Sequence, residues 1–150
     1  MHILFVTPAF PPMPGGGERY AASLAGHLRD RGHVVSVVTS RATLERDLWE
    51  GTSKPADTRV EGQENAVVRL PLRPFPGGRS GLMAYRKLMV LLSTLPGDQS
   101  AVLNRLAANV PPIIGLDAAL DNSGPVNLVH AFNVSWEAAM VAGAAFAQRR

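Results

Sequence analysis

Apolar residues in this chain fall either into short unbroken runs or into stripes with helical spacing, and the two kinds of segment alternate. Ile3-Leu4-Phe5-Val6 is apolar at every position and is stopped by Pro8. A run without period-two alternation predicts a strand covered on both faces, as in a parallel sheet. Tyr20, Ala21, Leu24, Ala25 and Leu28 then recur at three- and four-residue steps and predict one apolar stripe of a helix. Glu18 falls in the first turn, where the helix dipole favours a carboxylate, and Gly32 stands where a C-terminal cap belongs. Val34-Val35-Ser36-Val37-Val38-Thr39 gives a second buried strand. Strand, helix and strand in succession form a βαβ unit, the crossover that two parallel strands need.

Residues 40–66 are polar and mixed in charge, with Trp49 as the large apolar anchor, so they read as a long functional or mobile loop in which Val60 marks a short strand. Ala66 to Leu72 predicts a third strand, closed by Pro71 and Pro74, and Phe75-Pro76-Gly77-Gly78 a turn. Leu82, Met83, Tyr85, Leu88, Met89, Leu92 and Leu95 trace a second helix that ends near Pro96-Gly97. Ala101 to Val110 and Ile113 to Leu120 predict further helices, the latter following Pro111-Pro112. Val126 to His130 reads as a fourth strand, with Asn133 as the cap of a last helix through Gln148. The expected fold is α/β: a Rossmann-like parallel sheet with helices on both faces, residues 1–150 forming one domain. A final helix on such a sheet normally hands the chain to another strand. The stop at Arg149-Arg150 therefore predicts a truncated chain with an exposed edge.

Composition narrows the class without changing this picture. A chain of 150 residues supports one domain with a real core, and 46% hydrophobic against 18% charged residues is ordinary for a globular protein. The formal charge of +3 permits an anionic ligand or a membrane surface but lacks the concentrated basic face of a nucleic-acid binder. No nucleic-acid partner is expected. The absence of cysteine removes disulfides, thiolate zinc sites and cysteine nucleophiles, and it suits a reducing cytoplasm. The first residues lack a basic n-region, and their apolar run ends at Thr7-Pro8, far short of a signal-peptide core. The longest apolar stretch, Val134 to Ala147, contains Glu137 and is too short to span a bilayer. A cytoplasmic protein is expected, with membrane association left open.

Three places can carry chemistry. Gly15-Gly16-Gly17 comes after the first strand and immediately before a helix, where ligands of open parallel sheets gather. Residues without side chains let the backbone approach closely, and the free amides of a helix start attract anions, so a phosphate is the natural guest. A ligand-free βα turn is the alternative. The spacing is not G-x-G-x-x-G, and the second strand ends in Thr39-Ser40 without an acidic ribose partner, which argues against an ordinary dinucleotide site. From Asn65 to Gly97 there is no Asp or Glu, while Arg69, Arg73, Arg79, Arg86 and Lys87 all occur. Arg86 and Lys87 are expected on the polar side of the amphipathic second helix. With Arg79, they could meet an anionic membrane or a phosphorylated acceptor, or simply form a solvated face. His130, at the carboxyl end of the fourth strand, falls into the same crevice as the glycines and could hydrogen-bond a hydroxyl or a pyrophosphate oxygen; a structural histidine is the alternative. There is no G-x-S-x-G elbow, P-loop or H-E-x-x-H motif, and Glu18 and Glu137 do not form a recognisable carboxylate pair.

The opening Met1 to Pro12, then Gly15-Gly16-Gly17-Glu18-Arg19, Leu24 to Leu28, and Arg31-Gly32-His33-Val34 through Thr39 resembles the start of family-4 glycosyltransferases. These begin strand, P-x-x-P, G-G-x-E, helix, R-G-H-x-V, strand. Val67-Val68-Arg69-Leu70-Pro71 is similar to the family's third strand, and Leu128 to Asn133 to its fourth, where members often carry V-H-x-H. The resemblance covers the chain in order and is weakest between residues 40 and 126. It implies the amino-terminal half of a GT-B fold: two Rossmann-like domains facing across a cleft, retaining transfer, and no metal or other cofactor. The donor would be a UDP-, GDP- or ADP-linked nucleotide sugar and the acceptor a sugar, lipid or small molecule. Gly15, Gly16 and Gly17 would meet the donor pyrophosphate and His130 would be the candidate catalytic residue. Acceptor-side contacts would come from Phe10, Glu18, Arg19, Tyr20 and Asn133. One departure stands out: the family's second histidine position is Phe132 here. The carboxyl-terminal domain with its E-x7-E signature is not in the sequence, so the chain alone is expected to transfer nothing. Two other readings stay open, a sugar-nucleotide epimerase of the same fold and a non-catalytic module that binds phosphate or an anionic membrane.

Overall fold

The computed structural model describes residues 1–51, 67–132 and 136–149. Strands β1 (His2–Val6), β2 (Val34–Ser40), β3 (Val67–Leu70) and β4 (Leu128–Ala131) form one parallel sheet in the order β3-β2-β1-β4. Helix α1 (Gly16–Asp30) joins β1 to β2, and a short α2 (Asp47–Glu50) follows β2. Between β3 and β4 come α3 (Gly78–Ser93), α4 (Ser100–Ala107) and α5 (Leu116–Asp121), and α6 (Glu137–Gln148) follows β4.

The pleat explains the unbroken apolar runs. Ile3 and Phe5 of β1 with Val35 and Val37 of β2 turn to one face, where Ala21 and Ala25 bring α1 down onto the sheet. Leu4, Val6 and Val38 turn to the other, against Leu116 and Leu120 of α5 and Ala139, Ala142 and Phe146 of α6. With helices on both faces, the central positions of β1 and β2 are inside positions whichever way they point. Small residues set the helix-to-sheet distance: a Cβ on Gly143 of α6 would stand 3.3 Å from the Ala131 Cβ and 3.5 Å from Val129. Gly32 closes α1 as its sequence position predicts, at φ 80°, with its amide donating to the Arg29 carbonyl at 2.8 Å.

A third core has no counterpart in the strand pattern. Ala9 and Met13 beyond β1, Ala42 and Leu48 beyond β2, Leu72 and Phe75 beyond β3, Leu82 of α3, Val110, and Trp136 beyond β4 pack together. The segments that leave the carboxyl ends of all four strands therefore meet and close part of the crevice there. Trp49 joins them by stacking on Trp136, ring centres 6.3 Å apart.

Several boundaries move. Residues 41–51 are not featureless loop: the buried Asp47 carboxylate accepts from the Thr43 amide and hydroxyl and from the Leu44 amide, holding α2 in place. Ile113 is not helical but bridges antiparallel to Leu72, and α5 starts only at Leu116, after Gly115 at φ 77°. The last helix begins at Glu137 with Trp136 in the cap position. Asn133 and Val60 lie outside the described residues. On α3, Leu82 is buried while Tyr85 and Met89 pack against the third core, but Met83, Leu88 and Leu95 of the predicted stripe are exposed.

Candidate functional site

The strand order places the topological switch between β1 and β4, because the chain moves outward from β1 through β2 to β3 and then returns to the other side of β1. Ligands of open α/β sheets bind outside the carboxyl ends of the strands at that point. Here the two ends are tied together: the Phe132 amide donates to the Val6 carbonyl at 2.8 Å.

The proline-rich segment after β1 is fastened by its neighbours. The Thr7 hydroxyl donates to the Ala9 carbonyl at 2.7 Å, and the Ser40 hydroxyl at the end of β2 donates to the Pro8 carbonyl at 2.5 Å. From β3 the buried Arg69 guanidinium donates to the Pro11 carbonyl, and burial holds its pKa below the usual arginine value. These donors satisfy carbonyls of a segment whose prolines have no N–H to join a ladder, and they fasten the path that leads to Gly15.

At Gly15 the backbone is extended, and its carbonyl accepts from both the Arg19 amide and the Arg19 Nε, at 3.3 and 3.2 Å. The buried Glu18 carboxylate folds back against it so closely that a Cβ at position 15 would overlap it. A side chain at position 15 would displace the Glu18 carboxylate, whereas the φ there is one that any residue adopts. Gly16 and Gly17 are different: a Cβ on either would meet nothing within 4 Å. They open α1, so helix geometry gives their amides no acceptor of their own.

A cavity of about 370 Å³ lies above this helix start, lined by Thr7, Gly17, Glu18, Tyr20 and Phe132. Of the three glycines Gly17 lines it, together with Phe132 just past the end of β4. His130 is not among the lining residues. It sits two residues before Phe132 on the same face of β4, half-buried, with its ring stacked on the Phe132 ring at 4.1 Å between centres and tilted over Phe5 at 5.4 Å. Phe132 is the part of the cavity's wall on which the histidine stacks, and Tyr20 meets Phe132 edge-on at 6.4 Å. Glu18 is the acidic side chain of the lining. The cavity therefore opposes a carboxylate to the partial positive charge of the helix start.

Other expected site residues fall elsewhere. Phe10 is buried in the core between sheet and α1, which makes packing its task. Asn133 lies outside the described residues. Arg79, Arg86 and Lys87 are on α3 and do not line the cavity. Arg86 does not sit on a polar outer side: it pairs with Glu137 at 3.2 Å, and its guanidinium lies over the Trp136 ring at 4.7 Å. Arg79 lies over Trp49 at 6.0 Å, and Lys87 is exposed. Among the described residues no group of three or more His, Asp or Glu could hold a metal ion, and no helix is long and apolar enough to cross a membrane. Thr7 and Phe132 are the contributors that sequence analysis did not assign. Their signals are position just past a strand end and a period-two step from His130.

Comparisons with curated proteins and with solved structures each gave no match. A family model described as a glycosyl transferase 4-like domain matches residues 15–150. The matched span opens on the glycine that the Glu18 carboxylate leans against and takes in α1 and three of the four strands, and by that match the chain belongs to the glycosyl transferase 4-like domain family.

Proposed function

We propose that this chain is the amino-terminal, acceptor-side half of a retaining glycosyltransferase. In this reading it moves a sugar from a UDP-, GDP- or ADP-linked donor to a sugar, lipid or small-molecule hydroxyl. The observation that carries the reading is the unfilled space over Gly16 and Gly17 at the start of α1, with Gly17 lining the cavity at the β1–β4 switch. As the bond between the sugar and the diphosphate breaks, negative charge gathers on the departing oxygens. Amides already fixed in direction stabilise that charge without reorganising. Glu18 would accept a hydrogen bond from an acceptor hydroxyl and Tyr20 would flank it, while Arg19 holds the Gly15 carbonyl. His130 acts through Phe132 in this geometry and is a positioning residue: its stacked ring fixes the cavity wall, and direct contact with the sugar requires Phe132 to swing aside. The groups that grip base and ribose belong to the carboxyl-terminal domain of the proposed GT-B enzyme, so the chain alone releases no nucleoside diphosphate from sugar nucleotides.

The test is a titration of isotope-labelled protein with UDP, GDP, ADP and pyrophosphate, followed through amide resonances. The expected result is a response centred on Gly16, Gly17, Glu18 and Phe132 that saturates only in roughly the millimolar range, the strength of a few uncompleted contacts. A response confined to other amides, or none, removes the reading. Turnover of a sugar nucleotide by this chain alone contradicts its being an incomplete half.

A further inference from the structure

Helix α3 is apolar on both of its faces. Leu82, Tyr85 and Met89 face the third core. On the opposite side Met83, Leu88, Val90 and Leu91, with Leu95 just beyond the helix, are each 42 to 66% exposed. At the angular step of an α-helix these positions spread over about half of its circumference. A helix apolar all round belongs inside something, and here half of it is bare.

The charges on the bare half share one sign. Lys87 lies exposed in the middle of the arc, and Arg79 borders it, seven residues before Arg86 and with its guanidinium over the Trp49 ring. No acidic residue occurs from Asn65 to Gly97. The next one, Asp98, is turned toward α4, where it accepts from the Ser100 amide at 2.9 Å. Arg86 belongs to the inward side through Glu137. Beside the arc runs a trough of about 470 Å³ whose walls include Phe75, Pro76, Tyr85 and Leu88, with Arg73 at its edge. A second copy of the chain is a poor occupant, because a two-fold contact centred on this arc would bring Lys87 toward its own image.

We propose that the outward face of α3 docks the protein on an anionic lipid surface. Val90, Leu91, Met83 and Leu88 enter the boundary between headgroups and acyl chains. Lys87 lays its aliphatic stem along the same boundary and carries its charge up to the lipid phosphates. The contact face is thus the exposed apolar one, not the Arg86-bearing side. This docking stands independently of the sugar-transfer reading.

Sedimentation of the full chain with phosphatidylcholine vesicles, and with vesicles that also contain phosphatidylglycerol, tests it. Binding is expected to the anionic vesicles, weakened by salt, and not to the neutral ones. Lys87→Gln should weaken it about fivefold, the effect of one cation near a charged surface. Arg31→Gln, which removes an equal charge at the far end of α1, should leave it nearly unchanged. Val90→Asp with Leu91→Asp should abolish it; both positions are exposed, and an unchanged thermal transition confirms that the fold survives. The proposal is overturned if the wild type binds neither vesicle, if Arg31→Gln and Lys87→Gln weaken binding alike, or if the double aspartate variant still sediments. A solution dimer that the double variant dissociates, without vesicle binding, would make a second copy the occupant and also overturns it. None of these outcomes alters the amide response at Gly16 and Gly17, so the two proposals fail separately.

Discussion

Gly81 and Gly26 both lie inside helices, yet alanine meets a different environment at each. Gly81, in the first turn of α3, lies under the Pro76 carbonyl, and a Cβ there would overlap that oxygen. The obstacle is backbone and cannot rotate away. Gly26, in the middle of α1, has nothing within 4 Å of a built Cβ. In Gly26→Ala the helix gains the conformational restraint that glycine lacks, and stability should rise by about 0.5–1 kcal/mol. Gly81→Ala should lower it by about 1–3 kcal/mol, as overpacking does. Denaturant midpoints of the two variants against wild type check both signs, and equal shifts in one direction would refute the contrast. Gly15 is a third case, where the neighbour is the movable end of Glu18 and the consequence falls on the cavity more than on the fold.

Among the elements, α3 and α6 are joined by a polar contact set in an aromatic frame. Arg86 reaches Glu137 from 51 residues away and covers Trp136, which stacks on Trp49 of α2. Both charged side chains are about a quarter exposed, so solvent screens the pair only in part. Arg86→Gln and Glu137→Gln should each cost about 1 kcal/mol, the double variant less than the sum, with a coupling of about 0.5 kcal/mol that shrinks at high salt. Strict additivity in that cycle would mean that the ion pair contributes nothing beyond its separate contacts.

For the molecule as a whole, sheet order sets where stability is concentrated. β1 is paired on both sides, and Leu4, Phe5 and Val6 have no exposed surface. Among the described residues β3 and β4 lie on the outside of the sheet, with Val68 and Leu128 exposed. Opening an outer strand breaks one ladder, whereas exposing β1 requires disrupting two. Amide hydrogen exchange should therefore be slowest in β1 and the adjoining part of β2, and faster by about tenfold or more in β3 and β4. Uniform protection across the sheet would contradict this ranking.

Much of this was legible in the chain, and the boundary is physical. The order of strands and helices, the parallel sheet, the Gly32 cap and the position of the glycine segment all follow from local rules: an apolar run, a helical step, a residue that tolerates positive φ. Where both faces of an element are apolar, as in α3, periodicity does not say which face turns inward, and the packing of Leu82 against the segments beyond the strand ends decided it. Likewise His130 and Phe132 share one face of β4 by alternation alone. Only the placement of α1 at the mouth made Phe132 the wall of the cavity and put the histidine behind it. The short helix at Asp47 and the Arg86–Glu137 pair stayed hidden because each depends on partners brought near by the path of the chain, which local sequence pattern does not encode.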